Sequence, residues 1–182
     1  MNIQFLFSSP ERIKVLEAII FSTNSFRVTQ VASAAGVNKG LVSQYFKFLN
    51  ESAILNRSGN DFAIDSTSAL TKATRIMINI NQINTKIFNK YTWVQSVGLY
   101  GSCAKGENTD NSDVDLWIRI KEFDDAKQAE LRRKLNNSIT NPQLLFLTKD
   151  KIKLIQKQDP LFYHALVFGS ITIYGDSNAI HI

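Results

Sequence analysis

The chain of 182 residues is long enough for one large domain or two small ones, and its 44% hydrophobic and 20% charged residues match an ordinary soluble globular protein. No apolar run approaches the ~20 residues of a membrane span, the Phe5-Leu6-Phe7 cluster lacks the basic flank of a secretory signal, and a single cysteine excludes an internal disulfide and fits a reducing cytoplasm. The net charge of +5 favours anionic partners but is unevenly placed: residues 1–65 carry six Lys/Arg against five Asp/Glu, residues 66–182 fifteen against eleven.

Ser8 or Ser9 ahead of Pro10 reads as a helix N-cap with proline in the first turn, and Ile13, Leu16, Ile19 and Ile20 supply the apolar face that follows. Between Val28 and Phe46 the chain then offers a small Ala32 where two helices cross and a Gly36 suited to ending the first. Val37 and Val42 fill the space between the helices, and Asn38 caps the second. That is the pattern of a helix-turn-helix. Short strands around Ser58-Gly59-Asn60 predict a β-hairpin after it. Over residues 11–65 this resembles the winged-helix family of prokaryotic regulators. The resemblance implies that Lys39, Ser43, Gln44 and Lys47 of the second helix face DNA, with Arg57 on the wing. Gln44 is suited to adenine, the cations to phosphates. A docking or dimerisation module is the other reading of the same residues, and such regulators are often homodimers on palindromic sites.

From Ser66 or Thr67 onward, Leu70, Ala73, Ile76, Met77, Ile80, Ile83 and Ile87 recur at threes and fours, which predicts a connecting helix within residues 66–90. Val94, Val97, Leu99 and Tyr100 suggest a strand ending at Gly101. Ser102 to Lys105 then form a tight turn or first helical turn whose N–H groups face any bound phosphate. Beyond a short loop, Val114, Leu116, Ile118 and Ile120 alternate with Asp113, Asp115, Trp117 and Arg119, a strand buried on one face. The two acids then point the same way, roughly 6.5–7 Å apart at Cα. That spacing suits Mg²⁺, which takes a few carboxylates and completes its shell with water and phosphates.

Gly101-Ser102-Cys103-Ala104-Lys105-Gly106, followed by Ser112-Asp113-Val114-Asp115-Leu116, resembles the signature of polymerase-β-type nucleotidyltransferases, especially their minimal prokaryotic members. Weaker likeness extends to Ile173-Tyr174-Gly175. The resemblance implies ATP or another nucleoside triphosphate on Gly101, Ser102 and Lys105, Mg²⁺ on the catalytic pair Asp113 and Asp115, and a protein acceptor such as a HEPN-type toxin. It also implies a third carboxylate on a later strand, read as Gln143 to Thr148, where Gln143 occupies the expected position in this register and Asp150 or Asp124 could substitute only in a different one. An amide is no base and a poorer Mg²⁺ ligand.

The expected fold is α+β: a winged helix-turn-helix over 1–65, a connecting helix over 66–90 and a nucleotidyltransferase-like mixed sheet flanked by helices over 91–182. Two functions follow, ahead of a third, a transferase acting on a small molecule such as an aminoglycoside, for which the sequence shows no substrate pocket. One is a metal-dependent transferase that modifies a protein partner, as an antitoxin would. The other is a DNA-binding regulator whose degenerate transferase domain senses nucleotide or docks a partner. Cys103 reads as a packed small residue, with a redox-sensitive thiol as the rarer alternative. A helix is also expected over Lys121–Ile139, and Asp159-Pro160 reads as the cap and first turn of a last one.

Overall fold

A computed structural model of the protein describes residues 3–181. The chain divides into two compact units. One runs up to Ile78 and takes in Gly106–Asn111; the other holds Asn79–Lys105 and the chain from Ser112 onward.

In the first unit, α1 (Pro10–Ile19) starts on the Ser9 side chain, which accepts from the Arg12 N–H. Its buried face is Val15, Leu16 and Ile19, continued by Ile20; Ile13 lies outside it, facing solvent. Helix α2 (Val28–Ala35) ends on Gly36, whose φ of 63° lets the N–H turn back on the last carbonyls. Asn38 then caps α3 (Lys39–Glu51) by accepting from the Gly40 N–H at 2.8 Å. The hairpin β1 (Leu55–Ser58) and β2 (Asp61–Ile64) pairs Leu55 with Ile64 and Ser58 with Asp61. Phe26 pairs with Phe62 through two backbone hydrogen bonds, so the segment entering α2 extends the hairpin. Leu16, Ile20, Val42, Tyr45, Phe46 and Leu49 are fully buried at the centre of this unit.

Helix α4 covers Ala69–Gln82, shorter than the periodicity predicts; Asn84 caps a separate 3-10 turn over Thr85–Lys90. Its buried stripe is not the expected apolar one. Thr71, Thr74, Arg75, Ile78 and Asn79 are buried, whereas Ala73 and Met77 are exposed. Arg75, 1% exposed, explains the inversion: its guanidinium donates to the Ile20 carbonyl at 2.8 Å, to the Ser66 hydroxyl and to the Gly106 carbonyl. A buried guanidinium is tolerated when its donors are engaged. The segment Gly106–Asn111 is fastened to the same unit by a Lys72–Glu107 ion pair at 2.9 Å and by the Asp110 N–H on the Phe21 carbonyl.

The second unit is built on a mixed sheet in the order β5-β4-β3-β6, from β3 (Val94–Leu99), β4 (Val114–Ile120), β5 (Pro142–Leu147) and β6 (Ile171–Gly175). Only the β4–β5 pair is parallel. Strand β4 is not buried on one face alone: Leu116, Trp117 and Ile118 are all fully buried, because helices cover both faces. One face packs Leu116, Ile118 and Phe146 with Leu131 and Leu135 of α6 (Asp125–Asn136). The other packs Trp117 and Leu147 with Ile152 of α7 (Lys149–Gln158) and Tyr163 and Leu166 of α8 (Pro160–Gly169). Helix α6 is shorter than expected, because Asp124 caps it by accepting from the Lys127 N–H. Asp159 caps α8 in the same way, as the sequence predicts. Among the described residues, no helix is long and apolar enough to cross a membrane.

Candidate active site

Strand β3 delivers the chain to Tyr100, whose N–H donates to the Asp115 carbonyl at 3.0 Å, and then to the short helix α5 (Gly101–Lys105). Gly101 has φ +68°, and a Cβ on it would overlap the Asp115 carboxylate. Both the left-handed backbone and the close approach demand glycine here. The turn and the acid are therefore adjacent, although they lie fourteen positions apart in sequence. Ser102 is half-buried and Lys105 exposed on the same turn.

Strand β4 begins at Val114, so Asp113 sits one residue before it and Asp115 is its second residue. Burial and then the negative charge of Asp113 hold the Asp115 carboxyl above its ordinary pKa. The Asp113 charge thus disfavours ionisation of Asp115, a repulsion that a divalent cation relieves. Tyr100 is raised for related reasons, burial first and the Asp115 charge second. Cys103 is 1% exposed, and its Sγ donates to the Asp113 carbonyl at 3.4 Å. Burial, with the two acids adding to it, pushes its thiol up to about 11, so it stays a thiol at neutral pH and does not act as a redox-sensitive thiolate.

On the adjacent parallel strand, Gln143 is the register partner of Asp115 and is exposed. Among the described residues, no group of three or more His, Cys, Asp or Glu side chains is arranged to hold a metal. The donor set fits one hydrated Mg²⁺ carried in with phosphates, because the two carboxylates at the start of β4 and the Gln143 amide, register partner of Asp115 on β5, are oxygen donors of the kind it takes. It does not fit a second, fully carboxylate-held ion. Beside the turn lies a cavity of about 370 Å³ that the sequence did not foreshadow, lined among others by Asn79, Gln82, Cys103, Val114 and Thr140. Asn79 donates to the Cys103 carbonyl at 2.9 Å and so braces the turn from below.

The first unit holds a groove of about 800 Å³ lined by Lys39, Ser43, Gln44, Lys47 and Arg57, the five residues singled out for DNA. Arg27, Asn50 and Asn60 join them without having been singled out. Arg27 arrives through the Phe26–Phe62 pairing and an ion pair with Asp61 at 2.8 Å, a long-range contact that no local pattern signals.

No curated protein matches the chain. Solved structures resemble it loosely. One is a toxin–antitoxin complex with AMP-PNP, at 19% identity and TM-score 0.42, covering 56% of this chain and 77% of that one. Another holds a tri-AMPylated Shewanella oneidensis HEPN toxin in complex with MNT antitoxin, at 17% identity and TM-score 0.37, covering 57% and 75%. The family match is of a different order: residues 81–179, more than half of the chain, match the family described as Polymerase beta, Nucleotidyltransferase, and the protein belongs to that family.

Proposed function

We propose that the protein binds a nucleoside triphosphate with Mg²⁺ at the Gly101-Ser102 turn and the Asp113–Asp115 pair, and transfers its nucleotide slowly, if at all, to a hydroxyl of a protein partner. The observation that carries this reading is the Asp115 carboxylate against left-handed Gly101, with its charge disfavoured by burial first and by Asp113 second. The turn N–H groups and the Ser102 hydroxyl receive phosphate oxygens. Lys105 lies exposed on the same turn, where its cation meets the outer phosphates. Bound Mg²⁺ supplies neutralisation of phosphate charge. Asp113 and Asp115 would hold it, and the Gln143 amide would take no proton from an attacking hydroxyl. A HEPN-type toxin is the acceptor the family resemblance suggests. Calorimetry with ATP and Mg²⁺ tests the reading: saturable uptake by the wild type, absent in Asp113→Ala, is the expected result, and no uptake by the wild type would end it.

A second reading has its own observation. The groove of the first unit gathers four cations with Ser43, Gln44 and two asparagines on one face. That set favours a winged-helix surface on duplex DNA, with Gln44 at the bases and Arg27, Lys39, Lys47 and Arg57 on phosphates. The protein is then a regulator whose transferase unit reports nucleotide, acting in the cytoplasm, where a homodimer would suit a palindromic site. A mobility shift with the DNA upstream of its own reading frame, negative even at low salt, would leave docking as the module's role.

A further inference from the structure

Helix α8 has two unlike faces. Tyr163 and Leu166 are buried in the layer that contains Trp117 and Leu147. On the opposite side, Leu161, His164, Ala165 and Phe168 recur at the i, i+3, i+4, i+7 spacing of a core-facing stripe, yet all four are exposed. Leu161 is 84% exposed and Phe168 79%. The His164 and Phe168 rings stack at 5.8 Å, so the stripe is a formed surface and not a scatter of side chains. Packed against α8, helix α7 carries Lys149, Lys151, Lys153 and Lys157 against the single acid Asp150. None of these lysines makes an ion pair among the described residues.

Size and charge choose the occupant. Leu161 and Phe168 together expose on the order of 300 Å², well short of the ~800 Å² per partner of a standard interface. A second copy of the chain is not stabilised by this face alone. One amphipathic helix laid along α8 matches the stripe, and the unpaired lysines set its charge. We infer that α8 is the docking surface for an acidic amphipathic helix of a partner protein, its apolar side chains on Leu161 and Phe168 and its carboxylates towards the α7 lysines. Helix α8 also packs on α5, and the Phe162 ring meets Tyr100 at 6.4 Å. A helix docked there lies beside the phosphate turn. Its role as the acceptor's anchor rests on the transferase reading; the docking itself does not.

The test is fluorescence anisotropy with the full chain and a labelled synthetic helix of about 18 residues, leucine on one face and glutamate elsewhere. Saturable binding is expected, weakened about tenfold or more in Leu161→Ser with Phe168→Ser, in Lys153→Glu with Lys157→Glu, and when the peptide's glutamates become lysines. These side chains are solvent-facing, so unchanged melting temperatures certify the variants. Absence of binding, or equal affinity in the variants, overturns the inference. So does a wild-type dimer in sedimentation that Phe168→Ser dissolves, which would assign the face to a second copy. ATP–Mg²⁺ calorimetry on the same proteins separates the two ideas: a wild type that takes up no nucleotide but binds the peptide sinks the transferase reading and leaves the docking surface standing.

Discussion

Asp115 and Gln143 are register partners on the parallel strands β4 and β5, so an amide stands beside the inner acid of the site. Restoring a carboxylate there supplies a proton acceptor and a harder ligand. Gln143→Asp is expected to raise nucleotide transfer by about 10²-fold, the low end of what a positioned base contributes. Single-turnover assays with radiolabelled ATP read this directly, with Asp115→Ala as the inactive control. A rate unmoved by Gln143→Asp would remove position 143 from the chemistry.

The raised pKa of Asp115 has a stability consequence whose sign is fixed. Its folded value lies above the unfolded one, so the folded state keeps this proton longer, and stability falls as pH rises through the two values. At neutral pH without metal the charged group is a burden. Asp115→Asn is expected to melt higher than the wild type at pH 7, by about 2–4 °C for each ~1 kcal/mol relieved. The gain should vanish at a pH low enough to protonate the wild-type group. Added Mg²⁺ should raise the wild-type midpoint and leave the variant's unchanged. Scanning calorimetry across pH, with and without metal, checks all three arms.

Gly101→Ala meets both a left-handed backbone and the Asp115 carboxylate. A cost of about 1–2 kcal/mol from the backbone alone is expected, with loss of nucleotide affinity because the acid must move. Denaturant unfolding and ATP titration measure the two effects separately.

Gly98 pairs with Trp117 across β3 and β4, and a Cβ on it would overlap the indole ring. Gly98→Ala should destabilise by about 1–3 kcal/mol through overpacking. The double change with Trp117→Phe should be less costly than the two single changes predict. A double-mutant cycle by urea unfolding reads the coupling.

For the basic groove, neutralising Lys39 or Lys47 should lower the salt slope of DNA binding by about one each while weakening all sequences alike. Gln44→Ala should instead narrow the gap between one site and others. Binding isotherms at several salt concentrations separate the two behaviours.

Local chemistry was legible. Ser9, Asn38 and Asp159 cap helices where the sequence placed caps, and the Gly101 turn meets Asp115 as the signature implied. What stayed hidden depends on distant partners. Arg75, Thr71 and Thr74 lie outside the apolar pattern of residues 66–90, yet they are on the buried side of α4, where the Ile20 and Gly106 carbonyls accept from the guanidinium. Trp117 read as the outward member of an alternating strand. It is buried because α7 and α8 lie over that face, and no period-two pattern records a second layer. Arg27 escaped notice for the same reason, being carried to the groove by a pairing with β2.

Excising the half that matches the nucleotidyltransferase family as a stand-alone protein meets an obstacle in the stretch Gly106–Asn111. That stretch lies between the turn and the acids in the chain, but its anchors are Lys72, Arg75 and Phe21. A fragment beginning at residue 81, where the family match starts, would discard all three. The Gly106–Asn111 stretch would then lose its tethers between the turn and the acids, so a shortened chain of this kind should retain Phe21, Lys72 and Arg75.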